Sequence, residues 1–364
     1  MPRTLLRAVL VLVSSLLGLL IAEGGLRIRF PQATAVPWQD EISGIASLQP
    51  NARGRHVVPH TFNVTVSVNS QRFRGRREYA PEPPLGVIRI AVLGDSFTFG
   101  LGANDDESYP AQLERILADA VRKGRVEVIN AGVPGTGTGE EALYYDIWVK
   151  RFHPQVVVLT VYRNDVENDR RQRVFNLDER GRASSRTMQE LRATSQRRRL
   201  LWQVANAVPG YPFLAQHSHL LNLLRRTISA IAVRKKAVID WEYLRKEGLA
   251  LMGAEVTWLK QRTQESGARL VVVFLPRRHT IQPSRRPPEE WNRRNPHAMI
   301  NALKEVCSRE GIPFIDITPL IRVWAEKLHH SLYYTGRRDY HATPEGYRLF
   351  AEAISSFLLK EGVI

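Results

Sequence analysis

The sequence predicts an α/β fold in which helices cover both faces of a parallel sheet. From residue 87 onward, short apolar runs alternate with segments in which apolar residues recur at helical spacing. The run at 155–161 is mostly β-branched, which is typical of a strand buried on both faces. Strands separated by helices imply parallel pairing, because each helix returns the chain to the same edge of the sheet.

The predicted elements follow one another in a regular order. The strands are 87–93, 126–129, 155–161, 270–275 and 314–317, and the helices are 109–122, 140–151, 240–266, 296–310 and 343–359. Residues 167–236 interrupt this alternation, first with an Arg-rich polar stretch and then with a helical pattern, which predicts an insertion over the sheet. We therefore expect a domain at 86–364 with this insertion, preceded by a membrane-proximal segment at 30–85 with a short strand at 61–68.

Charge and cysteine content exclude several classes of protein. The chain has 364 residues, and its 52 Lys and Arg against 36 Asp and Glu give a net charge of +16. Because the excess is mostly scattered arginine without interleaved aromatic residues, we expect no nucleic-acid partner. A basic exterior suits anionic headgroups or an acidic polymer. The single cysteine, Cys307, excludes an intrachain disulfide and a cysteine-based metal cluster.

The N-terminus predicts a membrane segment. Two arginines among the first seven residues precede an uncharged apolar run at 8–22, whose length approaches the roughly 17–20 residues that span a bilayer. A cleaved signal peptide has a similar pattern, but Leu20 disfavours the best cleavage site. We expect a signal anchor over 1–29, a single pass through a bacterial inner membrane and a periplasmic remainder of the chain. Cleavage would make the protein secreted instead.

Four loops contain the side chains that are candidates for catalysis or ligand binding. They are Gly94-Asp95-Ser96 after the first strand, Asn130 to Gly139 after the second, Tyr162-Arg163-Asn164-Asp165 after the third, and Asp339-Tyr340-His341 before the last helix. The carboxyl ends of parallel strands meet at one edge of the sheet, where ligands bind in such folds. The fold is therefore expected to bring these loops together.

Ser96 is the candidate nucleophile. A turn from strand to helix exposes the hydroxyl and gathers backbone N–H groups around it, and an acyl-transfer nucleophile needs both. His341 can take the proton from Ser96, and Asp339 can hold the imidazole in the required tautomer. The alternative is structural: Ser96 and Asp339 can each cap a helix.

Oxyanion donors are expected in the same loops. The backbone N–H groups of Ser96 and Gly135 and the side chain of Asn164 can donate to a developing negative charge. A glycine suits this role because no Cβ obstructs its N–H. In the alternative interpretation, Gly135 only makes a turn and Asn164 only satisfies loop backbone.

In this order, the motifs resemble those of the GDSL/SGNH hydrolase superfamily of esterases, lipases, thioesterases and carbohydrate acetylesterases. The matching positions are Gly94-Asp95-Ser96, Gly135 (with Gly132 the other candidate), Asn164-Asp165, and Asp339 with His341. The resemblance covers about 87–359 except the insertion. It implies the SGNH hydrolase fold, a flavodoxin-like three-layer α/β/α arrangement with a parallel sheet.

The sequence departs from the family pattern at two points. Tyr162 and Arg163 stand where the family usually has a glycine before the asparagine, which narrows the cleft and places a cation near the acyl group. Only Tyr340 separates Asp339 from His341, where two residues are often found. In this family a backbone carbonyl can also orient the histidine, so a carbonyl could take the place of Asp339 in this role.

The resemblance implies a serine esterase that acts through an acyl-Ser96 intermediate, with no metal or organic cofactor. From the expected location, the substrate is an acyl ester, chiefly an acetyl ester, of envelope carbohydrate or of a small molecule. The residues expected to contact it are Asp95, Tyr162, Arg163 and Asp165. Three alternatives stay open: a polysaccharide O-acyltransferase with the same site, a lipid esterase, and an inactive envelope scaffold that binds glycan.

Overall fold

A computed structural model describes residues 3–40, 44–121, 125–234, 247–281, 297–328, 330–335 and 341–364. Its strands are β1 (Thr34–Ala35), β2 (Gln39–Asp40), β3 (Ser47–Leu48), β4 (Arg53–Val58), β5 (Phe62–Ser67), β6 (Ile88–Gly94), β7 (Val126–Gly132), β8 (Val156–Val161), β9 (Phe175–Leu177), β10 (Ala183–Ser185), β11 (Arg269–Phe274) and β12 (Phe314–Asp316). Its helices are α1 (Arg3–Arg29), α2 (Ser96–Phe99), α3 (Tyr109–Ala120), α4 (Thr138–Tyr144), α5 (Asp165–Gln172), α6 (Met188–Ala207), α7 (Tyr211–His217), α8 (His219–Arg234), α9 (Leu249–Glu265), α10 (Arg278–Ile281), α11 (Ala298–Glu310), α12 (Thr318–Lys327) and α13 (Pro344–Lys360).

Five parallel strands form the central sheet, in the spatial order β12-β11-β8-β6-β7. Numbered by their order along the chain, these strands read 2-1-3-4-5 across the sheet, which is the flavodoxin-like arrangement. The predicted fold class is therefore confirmed. The chain reverses its direction of travel between β6 and β8, and a ligand-binding crevice is expected beside the carboxyl ends of these two strands.

Helices cover both faces of this sheet. Along β6, Ile90 and Val92 face one layer of helices, and Ala91 and Leu93 face the other. Successive side chains of a strand point to opposite faces, so a strand between two apolar layers has no polar side. The first layer contains α3, α12 and α13, and the second contains α4, α9 and α11.

The segment between α1 and β6 is packed into the same core. Strands β1, β4 and β5 form a small antiparallel sheet, and β5 corresponds to the strand predicted at 61–68. Ile45, Leu48 and Phe73 are fully buried among residues of the second helical layer. Trp38 lies against Phe99 of α2, with ring centroids 5.6 Å apart.

The structure differs from the predicted elements in a few places. The helix expected at 140–151 is α4 followed by a π turn (Tyr145–Val149) and a 3₁₀ turn (Lys150–Phe152). Helix α12 was not predicted, although Thr318-Pro319 is a helix-start signal and Ile321 and Ala325 form a buried face. Part of the helix expected at 240–266, residues 240–246, lies outside the described residues.

Among the described residues between β8 and α9, the chain forms α5, the hairpin β9–β10 and the helices α6, α7 and α8. At the other end of the chain, α1 is long and apolar enough to cross a membrane, and none of its residues is buried. A membrane span and a signal sequence share these properties.

Candidate active site

The candidate nucleophile lies on a turn that tolerates only glycine at its first position. Gly94 ends β6 with φ +152°, and a Cβ there would lie 2.1 Å from Thr98 Oγ1 and 2.3 Å from Thr160 Oγ1. Asp95 then caps α2: its Oδ1 accepts a hydrogen bond of 2.8 Å from the Phe97 N–H. Ser96 is consequently the first residue of a helix that starts directly at the strand end.

Ser96 and His341 are in direct contact. The distance from Ser96 Oγ to His341 Nε2 is 2.8 Å, within hydrogen-bond range. The His341 carbonyl accepts a hydrogen bond of 2.9 Å from the Tyr334 N–H, which fixes the backbone that carries the imidazole. Two residues that are 245 positions apart in the sequence therefore meet at the carboxyl edge of the sheet.

An aromatic residue that the sequence analysis missed holds the histidine ring. The centroid of the Phe97 ring lies 4.9 Å from that of His341 and 4.3 Å from that of Tyr162, both in tilted geometry. Phe97 is buried, so the imidazole rests on a fixed surface. Because Phe97 follows the nucleophile directly, its apolar character was the only signal in the sequence.

Asp95 and Asn164 interact beside the nucleophile. Asn164 Nδ2 donates a hydrogen bond of 3.1 Å to Asp95 Oδ2, and Ser96 Oγ lies 3.5 Å from the same oxygen. Burial raises the pKa of Asp95, while the Phe97 N–H, the His341 charge and the Asn164 amide oppose that rise. One N–H of the Asn164 amide is thus engaged by Asp95, and an amide carries a second.

The structure distinguishes the two candidate glycines of the second loop. A Cβ on Gly132 would lie 2.2 Å from the Phe99 backbone nitrogen, and the Gly132 N–H already donates to Asn130 Oδ1 at 3.1 Å. Gly132 therefore allows close packing against α2. Gly135 is exposed, has φ +84° and has open space where a Cβ would be. Of the two glycines, Gly135 has the open space in which a ligand can approach its backbone N–H.

The third loop differs in part from expectation. Asp165 was expected to contact substrate, but it is fully buried and its Oδ2 accepts a hydrogen bond of 2.9 Å from the Tyr162 N–H. Its carboxylate shapes the loop and does not reach solvent. Burial raises the pKa of Tyr162, and the positive charges of Arg277 and Arg163 oppose that rise. Two arginines, one after β8 and one after β11, thus lie near Tyr162.

Asp339 and Tyr340 lie outside the described residues, so the expected role of Asp339 stays a prediction.

A set of buried carboxyl groups behind the site was not predicted. Glu141 on α4 accepts a hydrogen bond of 3.1 Å from Thr136 Oγ1, and Asp169 on α5 accepts one of 3.0 Å from the Gly139 N–H. The interaction between the Glu255 carboxyl group on α9 and that of Asp169 raises the pKa of Glu255 and lowers that of Asp169. Burial raises the pKa of each of the three, that of Asp169 to about 7, and neighbouring carboxylates raise those of Glu141 and Glu255 further. Burial thus favours the protonated form of these carboxyl groups.

Within the ranges that the structure describes, no three or more His, Cys, Asp or Glu side chains are arranged to hold a metal ion. The two histidines of the His217-Ser218-His219 sequence are used in packing: His217 stacks against Phe213, and His219 Nδ1 accepts a hydrogen bond of 2.7 Å from the Gln32 N–H. A cavity of about 920 Å³ lies between β10, α9 and α11, and shares no lining residue with the loops around Ser96.

The fold, the Gly-Asp-Ser turn and the contact between serine and histidine define the class as an ester-acting hydrolase or acyltransferase. Residues 92–252 match the GDSL-like Lipase/Acylhydrolase family, and residues 239–363 match the SGNH hydrolase-like domain, acetyltransferase AlgX. Together the two matches cover residues 92–363, and they confirm the resemblance to the GDSL/SGNH hydrolase superfamily that the motifs predicted.

Solved structures with similar folds cover most of the chain at low sequence identity. An acetyl xylan esterase, AlAXEase, is 16% identical and covers 74% of this chain and 98% of its own, with a TM-score of 0.43. An esterase from Pseudoalteromonas sp. is 12% identical, with 76% and 99% covered and a TM-score of 0.43. An acetylxylan esterase from Geobacillus stearothermophilus is 12% identical, with 76% and 96% covered and a TM-score of 0.43. Among curated proteins, none matches the chain significantly in sequence.

Proposed function

We propose that the protein is a serine acyl hydrolase that acts through an acyl-Ser96 intermediate. The observation that carries this proposal is the 2.8 Å contact between Ser96 Oγ and His341 Nε2, at the strand ends where ligands bind in this fold. A serine hydroxyl is a weak nucleophile until a neighbouring base removes its proton, and the imidazole is placed to do so.

In the first half of the reaction, Ser96 Oγ attacks the ester carbonyl carbon while His341 Nε2 takes the hydroxyl proton. The carbonyl oxygen becomes an oxyanion, for which the donors are the N–H groups of Ser96 and Gly135 and the second N–H of Asn164. His341 then gives the proton to the leaving alcohol oxygen as the C–O bond breaks. The acyl group stays on Ser96. We assign Asp339 the role of orienting His341 and stabilising its charged form.

In the second half, His341 takes a proton from water, and the resulting hydroxide oxygen attacks the acyl carbon. The bond to Ser96 Oγ breaks, and the proton returns from His341 to that oxygen. A carboxylic acid leaves and the enzyme is restored, so no external oxidant, reductant or cofactor is needed for the balance of atoms and charge.

For the substrate we propose an acetyl ester of envelope carbohydrate, reached from a membrane anchor. The match of residues 239–363 to an acetyltransferase domain supports the acetyl group. The apolar helix α1 supports a single pass through the inner membrane with the catalytic domain in the periplasm. The nearby charges of Arg163 and Arg277 favour a carbohydrate with acidic groups.

The second candidate is an O-acyltransferase, which the acetyltransferase match over the C-terminal part of the chain favours. Its first half-reaction is the same. In the second half, a sugar hydroxyl replaces water, loses its proton to His341 and receives the acyl group from Ser96.

The test is labelling of the detergent-solubilised full chain with a fluorophosphonate probe, with Ser96→Ala as the control. Acid release from p-nitrophenyl acetate and acetyl transfer to an added oligosaccharide are followed in parallel. Labelling and acid release that both vanish in Ser96→Ala would support the hydrolase. Labelling without acid release, together with acetyl transfer to the oligosaccharide, would assign the transferase. A folded wild-type protein that takes no label would overturn the acyl-serine mechanism and leave the glycan-binding scaffold.

A further inference from the structure

The end of the apolar helix α1 is joined to the start of α8. Glu23 accepts hydrogen bonds of 2.9 Å from the backbone N–H groups of both His219 and Leu220, and one of 3.0 Å from Ser218 Oγ. Arg27 donates a hydrogen bond of 2.8 Å to the His217 carbonyl. A carboxylate at a helix N-terminus satisfies free N–H groups and the positive end of the helix dipole. The two helices therefore form one bonded corner.

This corner sets the height of α8 relative to a bilayer. The uncharged run of α1 ends at Ala22, so Glu23 is the first charged residue beyond the hydrocarbon. The first turn of α8 must lie at the same level, because its N–H groups bond to Glu23. Helix α8 also packs against α7, which packs against α6, so the three helices form one group that is joined to α1 at the membrane boundary.

These helices carry apolar residues that the protein leaves uncovered. Leu200 and Val204 on α6 are exposed and lie four positions apart, which places them in one stripe along the helix, and Val208, directly after the helix, is exposed as well. Leu224 and Ile228 repeat this spacing on α8, with Ile228 67% exposed. Exposed apolar stripes of this kind are typical of a surface that meets a partner or a membrane.

Helix α7 connects the two stripes. Phe213 is 64% exposed, whereas Ala215, on the other side of the helix, is fully buried. The buried side faces the small sheet, since α7 packs on β1 and β4, and Gln216 Oε1 accepts a hydrogen bond of 3.3 Å from the Arg55 N–H. The apolar side of α7 thus points away from the domain.

The charge of this part of the chain is strongly positive. Residues 186–236 contain ten arginines and lysines and one acidic residue, Glu190. Arg225 on α8 is exposed next to the Leu224 position, and its guanidinium lies over the Tyr211 ring. Helices that lie in a membrane interface combine an apolar face with arginine and lysine beside it, and anionic headgroups attract the cations.

We propose that the apolar side of α6, α7 and α8 lies in the interface of an anionic phospholipid bilayer, beside the point where α1 leaves it. The proposal rests on the proposed membrane anchor and is independent of the acyl chemistry. It would hold the catalytic domain against the membrane at two places, the α1 span and this surface, and so restrict its orientation.

The test places an environment-sensitive fluorophore on single cysteines in the full chain, reconstituted into vesicles in a Cys307→Ala background. Phe213→Cys and Ile228→Cys probe the proposed surface. Leu320→Cys on α12 is the matched control, an exposed apolar position on a helix outside this group. Leu12→Cys reports separately on whether α1 lies in the hydrocarbon. Circular dichroism and thermal unfolding serve as the check that each variant is folded.

We expect a blue shift at positions 213 and 228 that is larger in vesicles with anionic lipid than in zwitterionic ones, and none at 320. Water-like emission at 213 and 228 with a hydrophobic signal at 12 would overturn the proposal and leave the anchor intact. Water-like emission at position 12 would contradict both the proposed anchor and the proposal that rests on it. A shift at 213 and 228 that ignores lipid charge and accompanies a doubled mass would assign the surface to a second copy of the chain and overturn the proposal.

Discussion

At the scale of single residues, the position of the histidine ring depends on Phe97. We expect Phe97→Leu to lower kcat for p-nitrophenyl acetate roughly tenfold, the effect of about 1.4 kcal/mol in the transition state, with KM little changed. The reason is that leucine leaves the imidazole without the flat surface that now lies 4.9 Å from it. The measurement is kcat and KM as functions of pH, since a displaced imidazole also changes the pH profile.

Phe99→Leu is the matched control for this substitution. It removes an equally buried ring from the same short helix, but that ring packs against Trp38 and not against His341. Both changes cost stability by loss of apolar contact. Equal losses of kcat in the two variants would show that Phe97 acts only through the stability of α2.

The arginines near Tyr162 are expected to select the substrate by charge. Arg163→Gln should reduce kcat/KM for an acetylated acidic oligosaccharide about fivefold, the effect of about 1 kcal/mol for a partly solvated charge pair. It should leave a neutral acetyl ester unaffected, because such an ester offers no charge to attract. The measurement is kcat/KM for both substrates at low and high salt.

Arg151→Gln provides the comparison, because Arg151 is an exposed arginine at the opposite end of β8. This substitution should leave kcat/KM unchanged for both the acidic and the neutral ester. If Arg163→Gln affects the neutral and the acidic ester alike, the charge of Arg163 does not select the substrate and the side chain only fills space beside Tyr162.

The contrast between Ser96 and Asp165 shows what the sequence could predict at this scale. The sequence could place Ser96 and His341 together because Ser96 comes directly after a predicted strand and His341 directly before a predicted helix. In a parallel sheet these positions lie at the same edge. The orientation of Asp165 could not be predicted. The sequence around Asn164 is compatible both with a carboxylate that faces solvent and with one that accepts a hydrogen bond from the Tyr162 N–H. Side-chain direction within a loop depends on backbone angles that a local pattern does not fix.

At the scale of elements, the buried carboxyl groups join α4, α5 and α9. Glu255 was not recognisable as part of this group, because its partner Asp169 belongs to a helix far away in the sequence. The helical pattern of α9 was predicted, but a single acidic residue in an apolar face carries no information on what lies opposite. Only the packing of α9 on α4 and α5 brings the carboxyl groups together.

This arrangement predicts a pH dependence of stability. Burial raises the pKa of Glu255 well above its usual range and that of Asp169 to about 7. The folded state therefore keeps protons that the unfolded chain releases near pH 4, and the free energy of unfolding falls as pH rises from about 4 through 7. Glu255→Gln keeps an N–H donor for Asp169 but cannot lose a proton. We expect its melting temperature to exceed that of the wild type by roughly 2–4 °C at pH 8 and to match it at pH 5.

Calorimetry of both proteins between pH 5 and pH 9 measures this difference. Glu265→Gln is the control on the same helix, since Glu265 is exposed and pairs with Arg262 at the surface. It should follow the wild-type curve throughout. A Glu255→Gln variant whose melting temperature falls with pH as steeply as that of the wild type would show that Glu255 carries no proton at neutral pH.

At the scale of the whole molecule, the segment at 30–85 contributes to the domain that follows it. Arg89 on β6 is fully buried and donates hydrogen bonds of 2.7 Å and 3.0 Å to the Ala80 and Pro81 carbonyls, besides its ion pair with Glu127. Removal of residues 80–85 would leave the buried guanidinium without three of its acceptors, these two carbonyls and that of Glu82, which costs more than the bonds themselves contribute. The segment also covers α2, through Trp38 on Phe99, and Gln39 bonds to the Pro134 carbonyl next to Gly135.

We therefore expect a chain of residues 30–364 to fold and to take the fluorophosphonate label, and a chain of residues 86–364 to do neither. The first loses only α1, none of whose residues is buried, although it also loses the bonds between Glu23 and α8. The second loses Ile45, Leu48 and Phe73 from the core and exposes the apolar surface that they cover. Circular dichroism and thermal unfolding of both chains measure folding, and fluorophosphonate labelling measures whether the site around Ser96 is assembled. A chain of 86–364 with the melting temperature and labelling rate of 30–364 would mean that the small sheet is a separate appendage, and that the site around Ser96 is assembled without it.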